Sequence, residues 1–517
     1  MAQSTVSGTG LRRELSVWEA IGLSLALMAP SMAVNINPQG TAGTVGRAVP
    51  LAFALATLGV LLIAYTFVRL CQRFHHAGSV YGFVGATLGP RTGVVAGWAL
   101  IGTYVFYGVV TSTAAGIFGA AALESLGVWP NQPPWAGFAV AAIALLGVLA
   151  LAVAPVRGGT RALLTIEGLT VTLILVVSVI VLVKLAGGMA PGGHTVDLSV
   201  FSVAPGTDAS AVFLGVVFGF LSFAGFEAAA TLGEEAREPR RSIPRAILGT
   251  AIFGGVYFVF VTAIEVMGFG ADDAGIAAFT KSPSLLGDLG GQYVAPWIGD
   301  LITVGAAISA FGCALACAVS AARLVFALSR DGLFPRPLAA VSGSRGTPVR
   351  ATLLVVAGMY VINGLAWFVL GAAPMDLFIA SGTIGTLILL VAYALATIGA
   401  ARLLFFGGEA RSAGDARGAD ARSAGGARGA DAQAAGAGRG GTRRVAAWEV
   451  VIPMLALLLI GYTLFRNVVP YPEGGAGIYP AVSAIWVLLG VALVLVRRRA
   501  SAAAGDQLTA SEGLART

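Results

Sequence analysis

Charge is scarce in this chain. Only 11% of its 517 residues are Asp, Glu, Lys or Arg, against roughly 25% in soluble domains. Histidine and cysteine are scarcer still, with three of each. So few histidines, so dispersed, exclude a haem pair, and no HExxH zinc motif is present. Cys71, Cys313 and Cys317 fall in or beside apolar stretches and read as small buried side chains rather than a disulfide framework. No GKS or GKT phosphate loop occurs, which argues against ATP as a direct energy source. The N-terminus has no cleavage-like break after its polar leader, so no removable signal peptide is expected. No cofactor is expected either.

Apolar residues fill the space that charge leaves. They make up 57% of the chain, and the mean hydropathy is +0.86. A bilayer-spanning helix needs about 20 such residues in a row. Twelve candidate spans stand out, at roughly 17–41, 47–69, 93–122, 136–155, 162–186, 210–233, 246–269, 294–330, 350–371, 375–405, 446–465 and 478–496. They do not alternate apolar with polar as barrel strands do, so the expected class is an all-α polytopic membrane protein embedded in a lipid bilayer.

The net charge of +7 does not imply nucleic acid, because the basic residues sit in short loops between apolar runs. With the N-terminus placed inside, every Lys and Arg falls on the cytoplasmic side except Arg47, Lys184, Lys281 and Arg466. The positive-inside rule then puts both termini in the cytoplasm. Residues 1–16 and 500–517 are cytoplasmic tails on this reading, and 17–405 form a ten-helix core. Residues 407–444 differ in kind: RSAGDARGADA, from Arg411, repeats as RSAGGARGADA, from Arg422. This segment has no apolar stripe and reads as a disordered cytoplasmic linker. Residues 446–496 then hold a two-helix appendage.

Two spans are interrupted. The first reads GLSLALMAPSMAVNINPQG, with Pro30, Pro38, Asn35 and Asn37 inside it. Proline in a helix interior kinks or breaks it. The sixth holds Gly219, Ser222 and Gly225, with Glu227 two residues further on. A carboxylate at that depth costs about 3 kcal/mol on insertion scales, which points to function, although a structural hydrogen bond would also explain it. Breaks five spans apart fit an inverted five-plus-five repeat, 17–186 and 210–405, with a substrate site between the halves. Glu167, in span 5, is a second candidate; it reads either as a proton carrier or as a partner of a cytoplasmic-side arginine. Tyr104 and Tyr107 on span 3 are candidate gate or substrate contacts, or ordinary packing. Glu265 near the outer end of span 7 ranks below these.

Three longer stretches carry a resemblance. FAGFEAAATLGEEAREPRRSIPRAI (Phe223 to Ile247), AARLVFALSRDGLFP (Ala321 to Pro335) and HAGSVYGFVGATLGPRTGVVAGW (His76 to Trp98) resemble helix 6, the end of helix 8 and the helix 2–3 region of the amino acid–polyamine–organocation superfamily, in its amino acid permease branch. The resemblance covers residues 15 to 405 well and the last two helices loosely. It implies a LeuT-like fold and a secondary transporter of amino acids, by proton symport or exchange, in a bacterial cytoplasmic membrane. Polyamines, purines or simple amines are the alternative substrates. It also implies that the amides of Ser31, Met32 and Ala33 bind a substrate carboxylate, that the carbonyls of Ser222, Phe223 and Ala224 accept an ammonium, and that Phe220, Phe223 and Phe226 form an apolar wall or gate. The chain departs from the family where a Gly-rich helix-1 break is replaced by PSMA, and where helix 5 carries Glu167 instead of a lysine. A membrane sensor or intramembrane enzyme is the reading from another class. Neither an output domain nor a polar catalytic cluster is visible for it. The particular substrate, the coupling ion and the oligomeric state are left open at this stage.

Overall fold

The computed structural model describes residues 17–74, 80–154, 159–232, 238–342, 347–406 and 446–497. The expected tails and the repeat-bearing linker lie outside these. The described residues form helices and no strand. In chain order the α-helices are α1 Val17–Met28, α2 Pro30–Val45, α3 Val49–Arg73, α4 Val80–Leu88, α5 Pro90–Ser125, α6 Ala136–Val153, α7 Gly159–Ala186 and α8 Val212–Phe223. They continue as α9 Pro239–Phe269, α10 Asp273–Lys281, α11 Leu285–Tyr293, α12 Pro296–Arg330, α13 Val349–Gly364, α14 Pro374–Ala401, α15 Val451–Arg466 and α16 Ile478–Val496.

Ten stretches among the described residues are long and apolar enough to cross a membrane. The first, residues 20–73, takes in α1, α2 and α3. A straight helix of that length would run about 80 Å, far beyond a bilayer core of about 30 Å. The chain turns instead at Gly46, whose φ is +57°. The shorter apolar helix Ala209–Phe223 is the first half of the interrupted sixth element. Large apolar side chains such as Phe368, Leu458, Leu488 and Val496 are exposed, as lipid-facing side chains must be.

Both interruptions are real breaks. Ala29 separates α1 from α2 in the left-handed conformation, φ 44° and ψ 58°. Pro30 explains the site, because proline disfavours the right-handed helical conformation in the residue before it. Pro38, by contrast, stays inside α2. In the sixth element α8 stops at Phe223, Ala224 to Glu227 are unwound, and a 3-10 turn resumes at Ala228.

The two breaks press together. Gly225 has φ +102°, and a Cβ there would lie 2.6 Å from Leu27 Cβ. Asn37 Nδ2 donates to Ser222 Oγ at 2.7 Å. The Ala229 amide donates to Ser24 Oγ at 3.1 Å. In its first half α2 is stitched to the α10–α11 hairpin: Asn35 Oδ1 accepts from Ser284 Oγ at 3.0 Å and from the Leu286 amide at 2.9 Å.

The last two helices dock by side-chain clasps. Trp98 and Trp486 stack at 4.9 Å between centroids, and each indole N–H donates to the other residue's backbone carbonyl, at 2.7 and 3.1 Å. Arg69 pairs with Glu449, which also accepts from the Tyr65 hydroxyl.

Candidate functional site

A small cavity sits where the breaks meet. It is lined by Leu27, Met28 and Met32 from the first break, by Leu221, Ala224, Gly225 and Glu227 from the second, and by Thr103, Tyr104, Tyr107, Val110 and Thr111 of α5. Cys313 and Cys317 of α12 and Leu389 of α14 complete it. Its volume is about 30 Å³, which is room for roughly two waters. Any organic substrate therefore requires the cavity to open.

Glu227 lies on the wall, with its residue surface 8% exposed. Its Oε2 has no hydrogen-bond partner among the described residues. Tyr104, Tyr107 and Tyr393 are its electrostatic neighbours. Tyr107 is held by a 3.0 Å hydrogen bond between its hydroxyl and Thr386 Oγ1. Leaving one oxygen of a buried carboxylate without a partner is costly, and a cation entering the cavity would supply the missing partner.

Glu167 occupies a different place. Its carboxylate accepts the Ser31 amide at 2.9 Å, at the N-terminal end of α2, where the helix dipole favours negative charge. Ser309 Oγ accepts the Met32 amide at 3.3 Å and neighbours the same carboxylate. The Ala33 amide bonds the Ala29 carbonyl at 2.9 Å. Of the three amides singled out in the sequence, then, two face side chains of this chain and one lies within the helix.

The carbonyl at Phe223 accepts the Phe226 amide at 3.0 Å. Ser222 Oγ donates back to the Phe218 carbonyl at 2.9 Å. None of the three phenylalanines lines the cavity. Phe220 points at Gly59 of α3, and Phe223 packs edge-on against Phe258. Phe226 lies edge-on to both Phe67 and Tyr393, in an aromatic layer that reaches Phe83. Glu265 is fully buried, and neither carboxylate oxygen has a partner among the described residues.

Sequence reasoning missed Thr103, Thr111, Ser309 and Tyr393. It also set aside Cys313 and Cys317 as packing residues. A signal existed: Ser309, Cys313 and Cys317 recur every fourth residue, which is one helix face, and Gly305 continues it. Gly305 lets α7 approach, since a Cβ there would lie 2.4 Å from Thr170 Oγ1. Among the described residues no group of three or more His, Cys, Asp or Glu is placed to hold a metal.

A family model described as amino acid permease matches residues 20–406. The chain belongs to the amino acid permease family. The permease is 28% identical over 344 residues to the low-affinity putrescine importer PlaP of Escherichia coli, covering 63% of this chain and 69% of that one. It is 30% identical over 348 residues to an uncharacterized transporter of Mycobacterium tuberculosis, covering 67% and 72%. The branched-chain amino acid permease BcaP of Bacillus subtilis is 24% identical over 371 residues, covering 68% and 74%. Among solved structures, a crystal structure of an Eremococcus coleocola manganese transporter superposes with TM-score 0.55 at 13% identity, covering 98% of the permease and 100% of that chain. That likeness carries the fold alone: a LeuT-like arrangement of membrane helices. The permease is a multi-pass membrane transporter.

Proposed function

We propose that the permease is a secondary active transporter of amino acids or amines across a bacterial cytoplasmic membrane, with the substrate held between the breaks of α1–α2 and of the sixth element. The observation that carries this reading is Glu227, a buried carboxylate with a free oxygen on the wall of a small cavity at the junction of both breaks. An ammonium is the group that such a carboxylate and the unwound Ala224 carbonyl would hold. Tyr104 and Tyr107 line the same cavity, and the Phe226–Phe67–Tyr393 layer closes one end as a gate. Protons are the proposed coupling ion, carried by Glu227 or Glu167, in symport or exchange. The relatives' names include both a putrescine importer and a branched-chain amino acid permease, so amines and amino acids are both open to this chain.

The test is uptake of labelled amino acids and amines into proteoliposomes, with and without a pH gradient. Glu227→Gln keeps size and hydrogen-bonding capacity but removes charge and titration. It should leave a single monodisperse peak in detergent and lower transport at least about tenfold, or ~1.4 kcal/mol, with a flattened pH profile. Normal transport by Glu227→Gln at every pH, with Glu167→Gln inactive, would move the coupling carboxylate to α7.

A further inference from the structure

The amides at the helix-1 break can be accounted for one by one. A helix N-terminus ordinarily leaves its first N–H groups free for an anion. Here the Ala29 amide closes the end of α1 on the Leu25 carbonyl at 3.0 Å. Pro30 has no N–H. The Ser31 amide is taken by Glu167 and the Met32 amide by Ser309. The Ala33 amide is taken by Ala29. No N–H from Ala29 to Ala33 remains for a ligand's carboxylate.

The rest of the cavity does not compensate. None of its lining residues is Lys, Arg or His, and the one charged group on its wall is Glu227. A carboxylate entering would meet a like charge on the wall, with a second carboxylate already seated at the helix end. An ammonium would meet a free carboxylate oxygen and the neutral hydroxyls of Thr103 and Tyr104. Electrostatics thus accept one end of an amino acid and reject the other.

We infer that Glu167 is a tethered carboxylate filling the subsite where a substrate carboxylate would bind, and that the permease accordingly selects organic amines that lack a carboxylate. Glu167 is then a specificity-determining residue. It completes the helix end from within the chain, across 136 residues of sequence, so that the substrate need not. The inference rests on the Proposed function, in which the ammonium binds beside Glu227.

Amine and amino acid pairs that differ only by the α-carboxylate test it: putrescine with ornithine, cadaverine with lysine, isoamylamine with leucine. Binding is measured on the purified full chain in nanodiscs. The wild type should hold the amine of a pair at least about tenfold more tightly than the acid. Glu167→Ala empties the subsite and should shrink that ratio by about tenfold or more through a gain in amino acid binding. Glu167→Gln retains an acceptor for the Ser31 amide and should keep the amine preference. The wild-type ratio decides by itself if Glu167→Ala does not fold. Equal or tighter binding of the amino acids by the wild type overturns the inference, as does an unchanged ratio in folded Glu167→Ala. Binding of neither member of any pair overturns the Proposed function, and this inference with it.

Discussion

Two single residues shape the site through their backbones. Ala29 takes a left-handed conformation that costs an L-residue roughly 1–2 kcal/mol, and Pro30 directs the break to that position. Gly225 does the same work in the sixth element, with no side chain to obstruct Leu27. Gly225→Ala should therefore fail twice, by backbone strain of about 1–3 kcal/mol and by collision with the Leu27 Cβ. The expected outcome is a lower melting temperature in detergent and loss of substrate binding; wild-type melting and binding would show that the breaks do not need this approach. Glu227 was legible in the sequence because a charge at that depth demands a reason. Glu167 was legible as a candidate, yet its partner was not. The Ser31 amide is distant in sequence, and no local pattern announces it.

At the scale of elements, the last two helices are joined to the core by a clasp that hydropathy cannot reveal. Gly102 and Gly490 admit the two indoles: a Cβ on Gly102 would lie 2.2 Å from Trp486 Nε1, and one on Gly490 2.5 Å from Trp98 Cδ1. Trp486→Ala removes the half-buried stacked ring and one of the reciprocal hydrogen bonds, a loss of up to about 3 kcal/mol, the lower end of the range for fully buried aromatic truncations. Melting should fall markedly and protease should cut sooner near α15 and α16. Unchanged melting would mean that the Arg69–Glu449 pair and the α15 packing suffice. The expected spans map onto these elements with shifts at their ends: α3 runs on to Arg73, α5 starts at Pro90, and α9 starts at Pro239, seven residues before the expected 246. Two spans are not single continuous helices: the first is broken at Ala29, and the sixth unwinds after Phe223.

At the scale of the whole molecule, orientation rests on the distribution of Lys and Arg, and one measurement tests it. Residues flanking the 407–444 segment are anchored at the same end of α3: Arg73 Nη1 donates to the Leu403 carbonyl at 3.4 Å, and Arg69 pairs with Glu449. Whatever side receives this segment also receives the end of α3. The positive-inside reading makes that side cytoplasmic. A cysteine at Ala424 should then resist impermeant maleimide in intact cells and react after permeabilisation. The natural thiols are all buried, so background labelling should be low. Ready labelling in intact cells would reverse the orientation. By itself the sequence determined the membrane class, the two interruptions and the carboxylates worth asking about, because apolar length, proline, glycine and misplaced charge act locally along the chain. Only the tertiary structure decided what each group meets: that Gly225 seats one break on the other, that two cysteines face the cavity, and that Glu167 fills the helix end. Those facts depend on which helices lie side by side, and contacts between residues more than a hundred positions apart leave no periodic trace in a single sequence.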